Sequence, residues 1–213
     1  MSQIKRLKLR LLELLYTHNE EHVGSCFSQL EFMSEIFSSM SDRDIFVLSN
    51  GHAAYALYVM LESYRGLDAD QLARTHQGHP NKDVDSHIPC TTGSLGQGIC
   101  FAVGAALADR SRLVHVTISD GECAEGSVWE ALRFIYDEKI SNLTVHVNAN
   151  GFAGYDAVDL DYLERRCKAF LPDIRFHRTN SSCLPFLEGL DAHYVKMSES
   201  EYNISKEFIL NEC

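Results

Sequence analysis

The stretch "VTISDGECAEGSVWEALRF", residues 116–134, runs from an apolar, β-branched segment through an abrupt Asp-Gly turn into apolar residues at helical spacing. A strand delivered straight into a turn and a helix is one limb of a βαβ unit. Three carboxylates, Asp120, Glu122 and Glu125, crowd this turn. The helix start already favours anions through its dipole. Such crowding calls for something cationic or catalytic at the turn.

Working outward, the same alternation continues. Apolar strands are expected at "DIFVLS" (44–49), "LVHVTIS" (113–119), "LTVHVN" (143–148) and "IRFHRT" (174–179). Helical spacing marks residues about 3 to 17, 28–40, 53–64, 98–110, 127–138, 159–170 and a terminal segment near 199 to 211. Alternating strands and helices predict an α/β fold, a parallel sheet with helices on both faces, formed by a single domain over residues 1–213. Between Thr75 and Gly98 lies a polar stretch rich in Gly, Pro, His and Thr. A loop of that length inside a compact domain is usually functional.

In parallel α/β sheets the ligand site lies outside the carboxyl ends of the strands. "SDGE" sits just past one strand and "NANGF" just past the next, so Asp120 and Asn150 reach the same edge. A carboxylate, an amide oxygen and a nearby backbone carbonyl are hard ligands. Magnesium accepts such a set and takes its remaining ligands from phosphate and water. Gly121 and Gly126 let backbone approach a phosphate, and the helix start adds donors. The turn can therefore hold Mg²⁺ on a diphosphate; equally, Asp-Gly and Asn-Gly are ordinary turn signals.

A net charge of −11 argues against nucleic acid, which needs a basic face. The longest apolar runs fall well short of the roughly 20 residues of a membrane span. The start "MSQIKRLKLRLLELL" carries charges into its apolar stretch and reads as a helix rather than a signal segment. Seven cysteines without a C-x-x-C pair read as reduced, small hydrophobes, which places the chain in the cytoplasm.

Six segments occur in order: "HVGSCFS" (22–28), "SNGHAAYALYVML" (49–61), "GHP" (78–80), "TTGSLGQG" (91–98), "SDGECAEGSVWEA" (119–131) and "NANGF" (148–152). Together they resemble the N-terminal half of a transketolase, the thiamine diphosphate enzyme that moves two-carbon ketol units between sugars. "PFLEGLDAHYVKMSESEY" (185–202) is similar to the tail of that family's small N-terminal subunits. The likeness runs from about residue 5 to 205.

The resemblance implies a thiamine diphosphate-binding fold. It makes Asp120, the Asn150 side chain and the Phe152 carbonyl Mg²⁺ ligands, with Gly121 along the diphosphate. It places His52 and His79 toward the diphosphate and reacting centre, and His22 beside the substrate channel. Gly93, Ser94 and Leu95 lie against the cofactor, and His193 reaches the substrate side. Glu125 and Glu130 match carboxylates at a subunit interface, while Glu122 is read as solvated. The family's usual "GDG" is "SDG" here, so Ser119 stands where a glycine is usual. His115 and His146 have no matching role and read as structural; His177 has none either.

The family's pyrimidine-binding domain has no counterpart here and is expected on a separate chain. The chain is then the diphosphate-binding subunit of a split enzyme, a heterotetramer that transfers a ketol or acyl unit to an aldehyde or ketone acceptor, such as a sugar. Two alternatives stand beside it. One is a thiamine-dependent 2-keto acid decarboxylase or carboligase subunit. The other is a non-catalytic, truncated relative.

Overall fold

The computed structural model describes residues 1–211 apart from 190, 191 and 193. The chain divides into two compact units: residues 1–39, 52–78 and 180–213, and residues 40–51 and 79–179.

The first unit is helical. Helix α1 (Gln3–Thr17) is capped by Ser2, whose hydroxyl accepts from the Lys5 amide. It buries Leu7, Leu11, Leu14 and Leu15, one stripe at helical spacing. Helix α2 (Val23–Ser39) is buried over most of its length and packs on α1 and on α3 (Ala54–Arg65). Gly66, at φ 72°, ends α3 in the left-handed region, where a side chain is strained. Asp68 then caps the short α4 (Ala69–His76), which the sequence pattern does not reveal.

The second unit is a four-stranded parallel sheet in the order β1 (Ile45–Leu48), β2 (Val114–Ser119), β3 (Leu143–Ala149), β4 (Arg175–Arg178). The crossovers carry α5 (Gly98–Ala108), α6 (Gly126–Asp137) and α7 (Leu160–Phe170). Val114, Val116 and Ile118 of β2 and Leu143, Val145, Val147 and Ala149 of β3 form one apolar face. Against it lie Ile99, Ala102 and Ala106 of α5, Val128, Leu132 and Ile135 of α6, and Leu163 and Cys167 of α7. The period-2 pleat sends the alternate residues, His115, Thr117, His146, Asn148 and His177, to the opposite face. The parallel α/β architecture expected from the alternation is present. The eighth helix, α8 (Glu199–Asn211), packs on α1 in the helical unit.

Candidate cofactor site at the carboxyl ends of the strands

Three strands of the sheet unit end on site residues. β2 passes directly into Asp120, and β3 into Asn150. The Asp120 amide donates to the Asn148 carbonyl (3.1 Å), which ties the two strand ends. Its carboxylate accepts from the Gly121 amide at Oδ1 (3.1 Å) and from the Gly151 amide at Oδ2 (2.7 Å). The Asn150 amide oxygen accepts from the Phe152 amide (3.1 Å), a turn that sets the Phe152 carbonyl beside it in sequence. The expectation that Asp120 and Asn150 share one edge is thus met.

Burial pushes the Asp120 carboxyl up to about 6, against the pull of the Gly151 and Gly121 amides. A buried carboxylate whose charge is not balanced by its hydrogen bonds favours a nearby cation. Among the described residues no three His, Cys, Asp or Glu converge on a metal position. The donor set is one carboxylate with amide and backbone oxygens, which suits magnesium held partly by phosphate and is not suited to zinc. A Cβ added at Gly121 would meet Ala153 and the Ser119 hydroxyl at ordinary contact distances of 3.4–3.7 Å, whereas at Gly151, on the neighbouring strand end, it would meet nothing within 4 Å.

Glu122 overturns its reading as a solvated group: it is fully buried. Oε1 accepts from the Ser49 hydroxyl (2.6 Å) and the Gly96 amide (2.8 Å), and Oε2 from the Ser119 amide (3.0 Å). The Ser119 hydroxyl accepts in return from the Glu122 amide (3.1 Å). This reciprocal pair is a capping box on the turn that opens at Asp120. Ser119, the departure from the usual glycine, is therefore half of a matched device, and the S-x-x-E spacing was its sequence signal. Burial drives the Glu122 carboxyl upward, opposed by the Ser49, Gly96 and Ser119 hydrogen bonds. One side chain thereby fastens the end of β1, the glycine loop and the turn at Asp120 together.

The glycine loop carries Gly93, Ser94 and Leu95, the latter two exposed. Gly93 has φ 130°, and a Cβ there would stand 2.7 Å from the His79 ring. Glycine is required on both counts, and the same contact places His79 against the loop backbone. Gly98 lets α5 start hard against Ser49, where a Cβ would be 2.6 Å from the Ser49 Cα.

Glu125 and Glu130 are both exposed on this chain. Glu130 lines a groove of about 500 Å³ between α5 and α6 with Cys100, Val103, Ala131 and Phe134. Trp129 is tied into the fold: its indole donates to the Cys123 carbonyl (3.0 Å) and Arg166 lies 4.7 Å over its ring.

In the helical unit, His22 and His52 stand ring to ring with centroids 5.3 Å apart, and Tyr194 meets His22 at 5.8 Å. His22 Nδ1 lies 3.3 Å from Glu20 Oε1. Burial raises the Glu20 carboxyl, but hydrogen bonds from His22 and the Glu21 amide outweigh it and leave it below the usual range. His193 lies outside the described residues.

A parallel sheet that gathers a buried carboxylate, an amide oxygen and a glycine loop at its carboxyl edge has its polar groups where α/β proteins of this kind bind ligands. Residues 24–164 match the family "Transketolase, thiamine diphosphate binding domain", and the chain belongs to that family. It is 34% identical over 190 residues to transketolase-like protein 2 of Mus musculus, covering 78% of this chain and 30% of that protein. It is 31% identical over 174 residues to an apulose-4-phosphate transketolase subunit of Actinobacillus succinogenes, covering 70% of this chain and 63% of that one. A solved transketolase from Leishmania mexicana superposes with a TM-score of 0.85 at 18% identity, over 100% of this chain and 42% of that one, which shows the fold. The chain thus spans under a third of the mouse relative's length and under two thirds of the bacterial relative's. No helix among the described residues is long and apolar enough to cross a membrane.

Proposed function

We propose that this chain is the diphosphate-binding subunit of a two-chain, thiamine diphosphate-dependent transketolase-like enzyme, transferring a two-carbon ketol unit to an aldehyde or ketone acceptor. The observation that carries the reading is Asp120: a buried carboxyl at about 6, hydrogen-bonded across to the strand end that bears Asn150. Asp120, the Asn150 side chain and the Phe152 carbonyl would hold a Mg²⁺ ion, which would supply positive charge for the cofactor's diphosphate. Bound thiamine diphosphate supplies the carbanion centre for carbon–carbon bond cleavage and formation.

The protein's own share is positioning and charge. The backbone at Gly121 and the glycine loop at Gly93, Ser94 and Leu95 are assigned to the cofactor. Glu122 holds those segments in one arrangement before the ligand arrives, which lowers the ordering cost of binding. His79, packed on Gly93, is assigned to the diphosphate and reacting centre; His52, His22 and His193 keep the roles that the family resemblance gives them, His52 toward the diphosphate and the other two toward the substrate. Glu125 and Glu130 are assigned to a subunit interface; the exposure of both, and the place of Glu130 in the groove between α5 and α6, support that.

The partner is a separate pyrimidine-domain chain, a reading supported by the bacterial relatives that are themselves named as one subunit of a transketolase, and the assembly is a heterotetramer. The test is calorimetry of Mg²⁺-dependent thiamine diphosphate binding, with donor-sugar consumption, for the assembled pair. Asp120→Ala should abolish cofactor retention in a folded protein. Unchanged binding in that variant would refute the assignment.

A further inference from the structure

Three histidines on the polar face of the sheet take no part in the cofactor site. His115 Nδ1 lies 3.3 Å from His146 Nε2, and His146 Nδ1 lies 3.0 Å from His177 Nε2. The ring centroids are 5.5 and 5.3 Å apart. Each centroid separation exceeds its N···N distance by about two ring radii. The rings are therefore joined edge to edge, nitrogen pointing at nitrogen, and the 14° between the His146 and His177 planes fits a linear in-plane bond rather than face-to-face stacking.

Register explains the alignment. Thr117 pairs with His146, and Asn148 pairs with His177, so each step to the next strand climbs two residues toward the carboxyl edge. All three rings stand on one face because the climb is even. The chain of rings starts near the beginning of β2 and ends level with Ser119 and Asn148, one residue short of Asp120 and two short of Asn150.

We propose that His115, His146 and His177 form a proton-relay chain leading across the sheet to the edge that carries the cofactor site. A neutral imidazole has one N–H and one acceptor nitrogen, so each contact is an N–H···N bond and the three rings share one polarity. A proton bound at His115 Nε2 lets its Nδ1 proton pass to His146 Nε2. The His146 Nδ1 proton passes to His177 Nε2, and the proton on His177 Nδ1 passes to water at that half-exposed ring. Three N–H bonds break and three form, with no net charge left in the relay. The polarity is then reversed, and only a proton travelling the other way restores it. A catalytic cycle that releases one proton and later takes one back uses such a relay in both directions; this use rests on the proposed function, whereas the row of bonded rings itself does not.

The setting favours neutral rings. Burial, then the neighbouring His115, His177 and Arg175, push His146 down to about 3, and burial lowers His115 against the pull of Asp44. A metal is disfavoured, because the facing lone-pair directions are filled by the shared hydrogens and no three ligating groups converge among the described residues.

The test begins with ¹⁵N-histidine NMR of the full-length chain. Scalar coupling between nitrogens across both contacts, with one tautomer sense in all three rings, is expected. Absent coupling or opposed tautomers would overturn the relay. In the assembled enzyme, His146→Phe interrupts both bonds while keeping a ring in place. Its kcat should fall by about tenfold with an altered solvent deuterium isotope effect, short of the roughly hundredfold or more lost with a group that itself contacts the reacting atoms. KM for the donor and cofactor affinity should stay at wild-type values. An unchanged kcat in the folded variant, or a loss confined to KM and affinity, would overturn the relay. Should His146→Phe fail to fold, His146→Gln serves in its place, and the wild-type couplings still decide whether the bonded row exists.

Discussion

Replacing Glu122 tests the physical account of the site most directly. In Glu122→Gln one carboxylate oxygen becomes an NH₂ group, which offers hydrogens where an acceptor stood. If the amide oxygen keeps Ser49 and Gly96, the new NH₂ faces the Ser119 N–H; turned over, it faces the Gly96 N–H. Either way one backbone donor is stranded in a fully buried position. A buried unsatisfied group costs about 1–3 kcal/mol. In Glu122→Ala both amides lose their acceptor, while the Ser49 hydroxyl can rotate away, so the loss should reach about 2–6 kcal/mol by the same measure. Urea unfolding of the wild type and both variants reads these values, and thiamine diphosphate calorimetry with the partner reads the site. Cofactor affinity should fall with stability, because two of the three segments joined by Glu122, the glycine loop and the Asp120 turn, are those assigned to cofactor and metal. If Glu122→Gln stayed within about 0.5 kcal/mol of wild type, the spread of ordinary surface changes, the carboxylate would not be clasping donors as described.

Asp120 should act oppositely on the metal-free chain. Burial holds its carboxyl at about 6 in the folded chain, above the ordinary carboxylate range, so the native state holds a proton that the unfolded chain has lost, and stability falls as pH rises from about 4 to 6. Asp120→Asn should therefore gain on wild type by up to about 3 kcal/mol across that window, read by urea unfolding at both ends; a difference independent of pH would refute the burial argument. Gly93→Ala should weaken cofactor binding, since its Cβ would enter the His79 ring at a φ that side chains rarely adopt; wild-type affinity would remove that contact from the site. Glu125 and Glu130 should become protected from carbodiimide labelling when the pyrimidine-domain chain is added, and equal labelling with and without it would place them outside the interface.

The edge shared by Asp120 and Asn150 was legible in the sequence because their placement follows from local pattern. A β-branched run ending in Asp-Gly, and another ending in Asn-Gly, put Asp120 and Asn150 at strand ends wherever the sheet forms. The parallel fold followed from the same alternation. The short α4 escaped because eight residues carry too little periodicity to stand out. Glu122 was misread because a charged residue in a turn is ordinarily solvated; its burial depends on Ser49 and Gly96 arriving from 73 and 26 residues away. His115, His146 and His177 likewise fall 31 residues apart in two steps. Their strands showed only that each ring alternates with apolar neighbours. Whether those rings meet is set by strand order and register, which the packing of α5, α6 and α7 on the sheet decides and no local window contains.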